Sequence, residues 1–440
     1  MVLSVPLPDF ELEVYLGRWE FAAAHYLTGS DGQTRTISEL LALASDEERE
    51  AFEQLALGYT PTWGTDRLLA AIATTYESIG PENVLTFAGA EEAILWAIQE
   101  LVGPGDHAVV AVPTYQATES IALATGAHVS GLLLRRADGW SLDLDELERL
   151  LRPNTRLVAV NFPNNPTGGM PDPQDFRRLV ELCDERQITL FSDEVHRGVE
   201  HGPGRSLPQA ADLSARAISL NVMSKAYGLP GLRIGWLASH NRPLLEHLER
   251  RKHYTSICNS APSELLAAIA LANGEAVRGR IRSIIAENLP IFDGFFDRWS
   301  DYFEWEHPQG GCVFFPRWRR CRGVLPGPPA RRRGRAASRL DLPFCARGRP
   351  PRPLPHRRRS QAPRTGSRRV RRLPEPSRVC RLNGGRVSTR ALSAVRSSRR
   401  PGGSQPGSAR ALGRRSRCGA LPPWWPIEDD GRSRCAGARR

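Results

Sequence analysis

The sequence predicts an α/β protein organised on a mostly parallel sheet, and two observations carry that expectation. Short apolar runs recur at 84–87, 107–112, 156–161, 188–192, 217–222 and 234–238, and amphipathic helical stretches such as 142–151 and 172–186 separate most of them. Apolar strands alternating with helices argue for parallel pairing with both faces of the sheet covered. The second observation is positional. Most residues with chemistry to offer stand just after these runs, and ligands of parallel sheets gather at the carboxyl ends of strands.

Taken in order, residues 10–45 read as helix, turn and helix, with the turn at Gly29-Ser30-Asp31-Gly32. An aromatic-rich loop, Leu57-Gly58-Tyr59-Thr60-Pro61-Thr62-Trp63-Gly64, opens a helix over 65–76 with Thr65 as its N-cap. Tyr59 in that loop either packs into the core or meets a ligand. The run 84–87 leads through Ala88-Gly89-Ala90 into a helix from Glu91. Small residues at such a turn leave backbone N–H groups open to an anion such as phosphate, although they equally serve close packing.

The next strand ends carry more chemistry. Val112-Pro113-Thr114-Tyr115 places an aromatic ring after the second run, and Phe162-Pro163-Asn164-Asn165-Pro166-Thr167-Gly168 offers the Asn165 amide from a proline-fixed loop. Ser192-Asp193-Glu194-Val195-His196-Arg197 ends the following run. A carboxylate such as Asp193 at a buried strand end needs a cation, either an arginine of the same chain or a protonated ring nitrogen. The run 217–222 leads into Met223-Ser224-Lys225-Ala226-Tyr227-Gly228-Leu229-Pro230-Gly231-Leu232-Arg233. The chain has two lysines, Lys225 and Lys252, so an amine nucleophile has almost no other place to be. Lys225 is either a surface residue beside a turn or an amine that forms a Schiff base with an aldehyde cofactor. Arg233, eight positions on, is suited to bidentate phosphate binding. Helices follow around 245–251, 263–271 and 284–299, and 308–316 reads as a turn and strand of a smaller domain.

Composition divides the chain. Residues 319–440 hold 34 arginines, no lysine and five carboxylates, against a whole-chain charge of +12, so residues 1–318 are acidic. The basic character therefore belongs to the tail. Its Arg/Pro/Gly/Ser/Ala mixture lacks hydrophobic periodicity and is expected to be disordered; the same mixture is what GC-rich DNA yields when read out of frame, here from about 317–325. Nucleic-acid binding is not expected of the body. There is no run of apolar residues long enough to span a bilayer and no secretory signal, and the eight scattered cysteines show neither zinc-ligand nor disulfide spacing. A cytoplasmic location and no metal site are expected.

Together these motifs resemble the class I/II aminotransferases of the fold-type I, pyridoxal-phosphate-dependent superfamily. Met223-Ser224-Lys225, Gly228-Leu229, Gly231 and Arg233-Ile234-Gly235 match the family's attachment signature, and Asn164-Asn165-Pro166-Thr167-Gly168 and Ser192-Asp193-Glu194 fall in the order and spacing it requires. The resemblance covers about 55–318. It implies a large domain on a seven-stranded-type sheet (46–245), the first part of a small α+β domain (246–318), an N-terminal arm (1–45) and a tail (319–440). It also implies that Lys225 carries pyridoxal 5′-phosphate as a Schiff base and moves the substrate's α-proton. Asp193 would pair with the pyridinium nitrogen, Asn165 would bond the ring oxygen, and Tyr115 would stack on the ring. Gly89, Ala90, Ser224 and Arg233 would hold the phosphate, and Tyr59 would reach the phosphate of a neighbouring subunit in a homodimer. His196 stands where the family usually has a tyrosine; imidazole offers the same hydrogen bond, with a charge expected to depend on pH near neutrality, or it simply fills the slot. Val222 replaces a phosphate-binding Ser or Gly, and no residue after 318 matches the context of the substrate-carboxylate arginine. The implied activity is amino-group transfer between an amino acid and a 2-oxo acid. A lyase or cyclase of the capreomycidine synthase type, similar in the Ser224–Arg233 stretch, is the alternative within the same cofactor chemistry; a catalytically defective cofactor-binding product with a basic tail is the alternative outside it.

Overall fold

The structure is a computed structural model that describes residues 6–23, 27–202 and 204–319. The expectations of disorder or a shifted reading frame in the tail lie outside the described residues from 320 onward.

A seven-stranded sheet occupies the centre: β1 (Val84–Phe87), β2 (His107–Val112), β3 (His128–Leu133), β4 (Thr155–Asn161), β5 (Thr189–Asp193), β6 (Ala217–Val222) and β7 (Gly235–Ala238). Their spatial order is β1-β7-β6-β5-β4-β2-β3. Neighbours pair in parallel from β3 across to β6, and β7 alone runs the other way, antiparallel to both β6 and β1. The mostly parallel sheet foreseen from the apolar runs is therefore present. The runs β1, β6 and β7 are buried at every position, which is why they read as continuous apolar stretches rather than alternating ones. The edge strand β3 escaped the sequence because His128 and Gly131 lie exposed in it and interrupt the apolar run.

Helices cover both faces. One hydrophobic cluster joins Phe87, Phe191 and Leu220 to Ile94 and Ile98 of α5 (Ala90–Leu101), Ile121 of α6 (Gln116–Ala124) and Leu245 and Leu248 of α10 (Arg242–Lys252). On the opposite face, Val109, Val158 and Leu190 meet Leu147 of α7 (Leu144–Leu150), Phe176 and Leu179 of α8 (Pro173–Glu185) and Ala210 of α9 (Ala210–Leu213). Helix α8 begins as its sequence dictates: Asp172 caps the Gln174 N–H and Pro173 occupies the first turn. A third cluster packs α4 (Asp66–Ala73) on α11 (Ala261–Ala272) and includes Ile281 and Phe292 of α12 (Gly274–Arg298). Before them come α1 (Glu11–Trp19), α2 (Ile37–Leu41) and α3 (Asp46–Glu53), the last two closed by capping boxes.

Thr65 is the N-cap residue of α4 as expected, although its side chain makes no cap bond and its N–H donates to the buried Glu264 at 2.8 Å. One local expectation is corrected. Residues 308–316 form no strand of their own. The short antiparallel pair is β8 (Phe303–Glu304) with β9 (Arg317–Trp318), and the segment between them is pinned to the large sheet's rim. Gln309 and Gly310 donate to the Gly168 carbonyl, and Gly311 donates to that of Val199.

Candidate active site

The carboxyl ends of β1, β2, β4, β5 and β6 share one rim, and because β7 runs in reverse its first residue, Gly235, pairs there with both Phe87 and Val222. The turn before β7 thus returns Arg233 to the end from which Ser224 and Lys225 left. The sheet topology alone brings together Ser224 and Arg233, nine positions apart in one loop, and Gly89, 144 positions before Arg233 in another.

Lys225 Nζ donates to Ser30 Oγ at 2.7 Å. The segment carrying Ser30 lies directly on the lysine loop: Gly228 approaches the Gln33 carbonyl, and a side chain at Gly32 would collide with Ile281 and meet the Lys225 carbonyl. Asp193 is almost fully buried, and its Oδ1 accepts the Val195 N–H at 3.1 Å. No ion pair among the described residues includes it. Burial pushes its carboxyl up to about 6; the Val195 N–H, the Lys225 charge and the Asn161 amide oppose that shift. Asn161 organises the next loop as well, since its Oδ1 accepts the Asn165 N–H at 2.7 Å. Asn164, not singled out in the sequence, ties that loop to the Pro113 carbonyl through Nδ2 and holds Thr167 through Oδ1.

His196 is completely buried, and neither ring nitrogen has a hydrogen-bond partner among the described residues. Burial, with the Lys225 charge beside it, pulls its pKa down to about 3. The expectation of a charge that varies near neutral pH is therefore corrected: His196 is a neutral ring, one N–H donor and one acceptor. Tyr115 packs its ring on Phe10, with centroids 5.2 Å apart, and its hydroxyl donates to Glu13 at 3.2 Å. It also hydrogen-bonds Glu91, whose carboxyl burial raises to about 7. Glu13 and Ser30 had no motif to mark them and are visible only once α1 and the turn at 29–32 are folded against the rim; Glu91 stands in the first turn of α5, directly after the Ala88-Gly89-Ala90 turn.

Gly89 precedes α5 with φ 94°, and no side chain caps that helix. A Cβ at Gly89 would coincide with the Arg233 guanidinium, and one at Gly235 would strike the Gly89–Ala90 backbone. Arg233 Nη1 reaches Ser224 Oγ at 3.4 Å and the Pro230 carbonyl at 3.2 Å. Val222, by contrast, is buried in the core beneath. Tyr59 stands apart from this constellation, 91% exposed.

Residues 27–322 match the family described as aminotransferase class I and II. The chain belongs to the class I and II aminotransferase family. Among similar proteins, capreomycidine synthase of Streptomyces vinaceus is 37% identical over 326 residues, 71% of this chain and 80% of that protein. A PLP-dependent aminotransferase of Streptococcus suis superposes with a TM-score of 0.65 at 31% identity, covering 69% of this chain and 81% of the other. The PLP-dependent cyclase OrfR gives 0.66 at 26% identity, covering 71% and 81%. The fold is that of the fold-type I PLP-dependent transferases, and the cofactor of this aminotransferase family member is pyridoxal phosphate.

The residues present fit that cofactor. A buried carboxylate without an ion-pair partner suits a protonated ring nitrogen. The fully buried His196 keeps two unpartnered ring nitrogens beside the lysine. The uncapped start of α5, a guanidinium and a serine hydroxyl converge as an anion site does. This makes Gly89 a sensitive position. Gly89→Ala forces Arg233 aside and strains a backbone at positive φ, so cofactor affinity is expected to fall by about tenfold or more, the size of one charge-assisted hydrogen bond. Titration of the apoprotein with pyridoxal phosphate measures this.

Proposed function

We propose that this aminotransferase-family chain moves an amino group between an amino acid and a 2-oxo acid, with Lys225 as attachment point and proton carrier. The observation that carries this reading is the placing of the Lys225 amine on one rim with the buried Asp193 carboxylate and the Gly89–Ser224–Arg233 anion site. When bound, the cofactor supplies an electron sink and a temporary store for the amino group. Asp193 holds the ring nitrogen protonated by ion pairing. Asn165 and the neutral His196 bond the ring oxygen, and Tyr115 lies on the ring face. Gly89, Ala90, Ser224 and Arg233 hold the phosphate. Ser30 orients the Lys225 amine, which would take the proton from the substrate's α-carbon and deliver it to the carbon two atoms away, across the amino nitrogen. In this reading residues 46–245 form the large domain and 246–318 begin the small one. The enzyme works as a cytoplasmic homodimer in which Tyr59 reaches a second copy's phosphate.

A second reading, an eliminating or cyclising enzyme on the same cofactor, is favoured by the 37% identity to capreomycidine synthase. The two diverge after α-proton removal. In a single-turnover mixture with an amino acid and no 2-oxo acid, amino-group transfer converts the cofactor stoichiometrically to its aminated form, which absorbs at shorter wavelength. Consumption of the amino acid without that conversion would establish the second reading instead.

A further inference from the structure

Lys252, the chain's other lysine, is completely buried. An ammonium is costly there unless specific groups receive it. It closes α10, and its Nζ donates to the Thr62 carbonyl at 2.5 Å and lies 5.8 Å from the centroid of the Phe87 ring. Thr62 belongs to the aromatic-rich loop 57–65, and the rest of that loop is held from the same inner side. Glu264, 1% exposed, accepts the Thr65 N–H and lies 3.2 Å from the Thr60 hydroxyl. That hydroxyl is also within 3.0 Å of the Asn259 carbonyl. Thr86 donates to the Trp63 carbonyl from both its N–H and its hydroxyl, and the Arg242 guanidinium covers the Trp63 ring at 3.9 Å. Residues 60–65 are thus fixed from within, while Tyr59, one residue before the first of these bonds, is left exposed.

We propose that Lys252 is a positioning residue: through the Thr62 carbonyl, and with Glu264 on either side of it, Lys252 sets the loop 57–65 so that Tyr59 is presented outward to the phosphate of a second copy. The proposal rests on the reading of Tyr59 given above. Lys252 and Glu264 form no ion pair with each other among the described residues; each grips the loop through its own bonds, and removing either leaves the loop atoms it serves without their buried partner. A methionine at 252 fills the same volume but leaves the Thr62 carbonyl without its donor.

The test uses the full chain with Lys252→Met, Lys252→Arg and Tyr59→Phe, read by amide hydrogen exchange and by pyridoxal phosphate titration of the apoprotein. In Lys252→Met, peptides covering 57–65 are expected to exchange about tenfold faster while those of β4 and β5 stay protected, and the cofactor's Kd is expected to rise about tenfold. Lys252→Arg should recover part of both. In a Tyr59→Phe background, Lys252→Met should add less than about twofold to Kd, since the contact it positions is already gone. Unchanged exchange in 57–65 overturns the proposal, as does an equal loss of affinity in both backgrounds. If Tyr59→Phe alone leaves Kd unaltered while Lys252→Met still frees the loop, the phosphate role of Tyr59 falls and the clamp stands. Should Lys252→Met fail to fold, Glu264→Gln weakens the same clamp at Thr60 and Thr65 and carries the same comparison.

Discussion

Lys225→Ala is expected to abolish covalent cofactor attachment: borohydride reduction of the loaded protein should no longer fix the cofactor to the chain, and the visible band of the bound form should disappear. The alternative amine cannot substitute. Lys252 is fully buried, 5.8 Å from the centroid of the Phe87 ring, with its Nζ committed to the Thr62 carbonyl. The variant also loses the group that moves the α-proton, and a positioned general base contributes roughly 10²–10⁴-fold, so any turnover measured for the native chain should fall by at least that factor. Global stability should change little, because Lys225 is only partly buried and, among the described residues, its one side-chain bond is to Ser30. A bound band that survives the substitution would remove Lys225 from the reading.

Asp193→Asn is expected to weaken cofactor binding by about a hundredfold, since it removes one charge of a buried pair and leaves the other uncompensated. Its pH dependence provides a second check. Burial raises the carboxyl from 3.8 to about 6, so between those values the folded apoprotein keeps a proton that the unfolded chain has released. This group alone therefore makes the fold less stable as pH rises through that window. Cofactor binding has the opposite slope, because pairing with a ring cation needs the carboxylate. Below pH 6 the proton must first be expelled, and at pH 5 this weakens affinity by about tenfold relative to pH 7 or above. The Asn variant should lack that acid limb. If the limb persists in Asp193→Asn, another group is responsible for it.

Much of this was legible in the residues themselves. Six of the seven strands of the sheet are continuous apolar runs, and Asn165, Asp193, Lys225 and Arg233 stand at their ends, where the topology then gathers them. The reversal of β7 could not be read, because Gly235–Ala238 is as apolar as its parallel neighbours and orientation leaves no mark on a strand buried on both faces. Ser30 and Glu13 reach the site through tertiary packing of the N-terminal segments, and no local pattern announces that a serine in a glycine turn will meet a lysine 195 residues later. The charge state of His196 is hidden from the sequence for the same reason: an imidazole's ordinary pKa holds in water, and only the fold reveals that this ring is sealed from it.

The reversed strand has one more consequence. By turning the chain back on itself, β7 places the amine at 225 and the guanidinium at 233 at the two ends of a single short loop. On the proposed reading they grip opposite parts of one molecule. Each attachment then raises the effective concentration of the cofactor at the other, so holding is far tighter than either contact alone would give. Breaking the amine link therefore exposes the phosphate site to bulk competition. In Lys225→Ala, inorganic phosphate at millimolar concentration should displace pyridoxal phosphate readily, whereas the native chain should retain it.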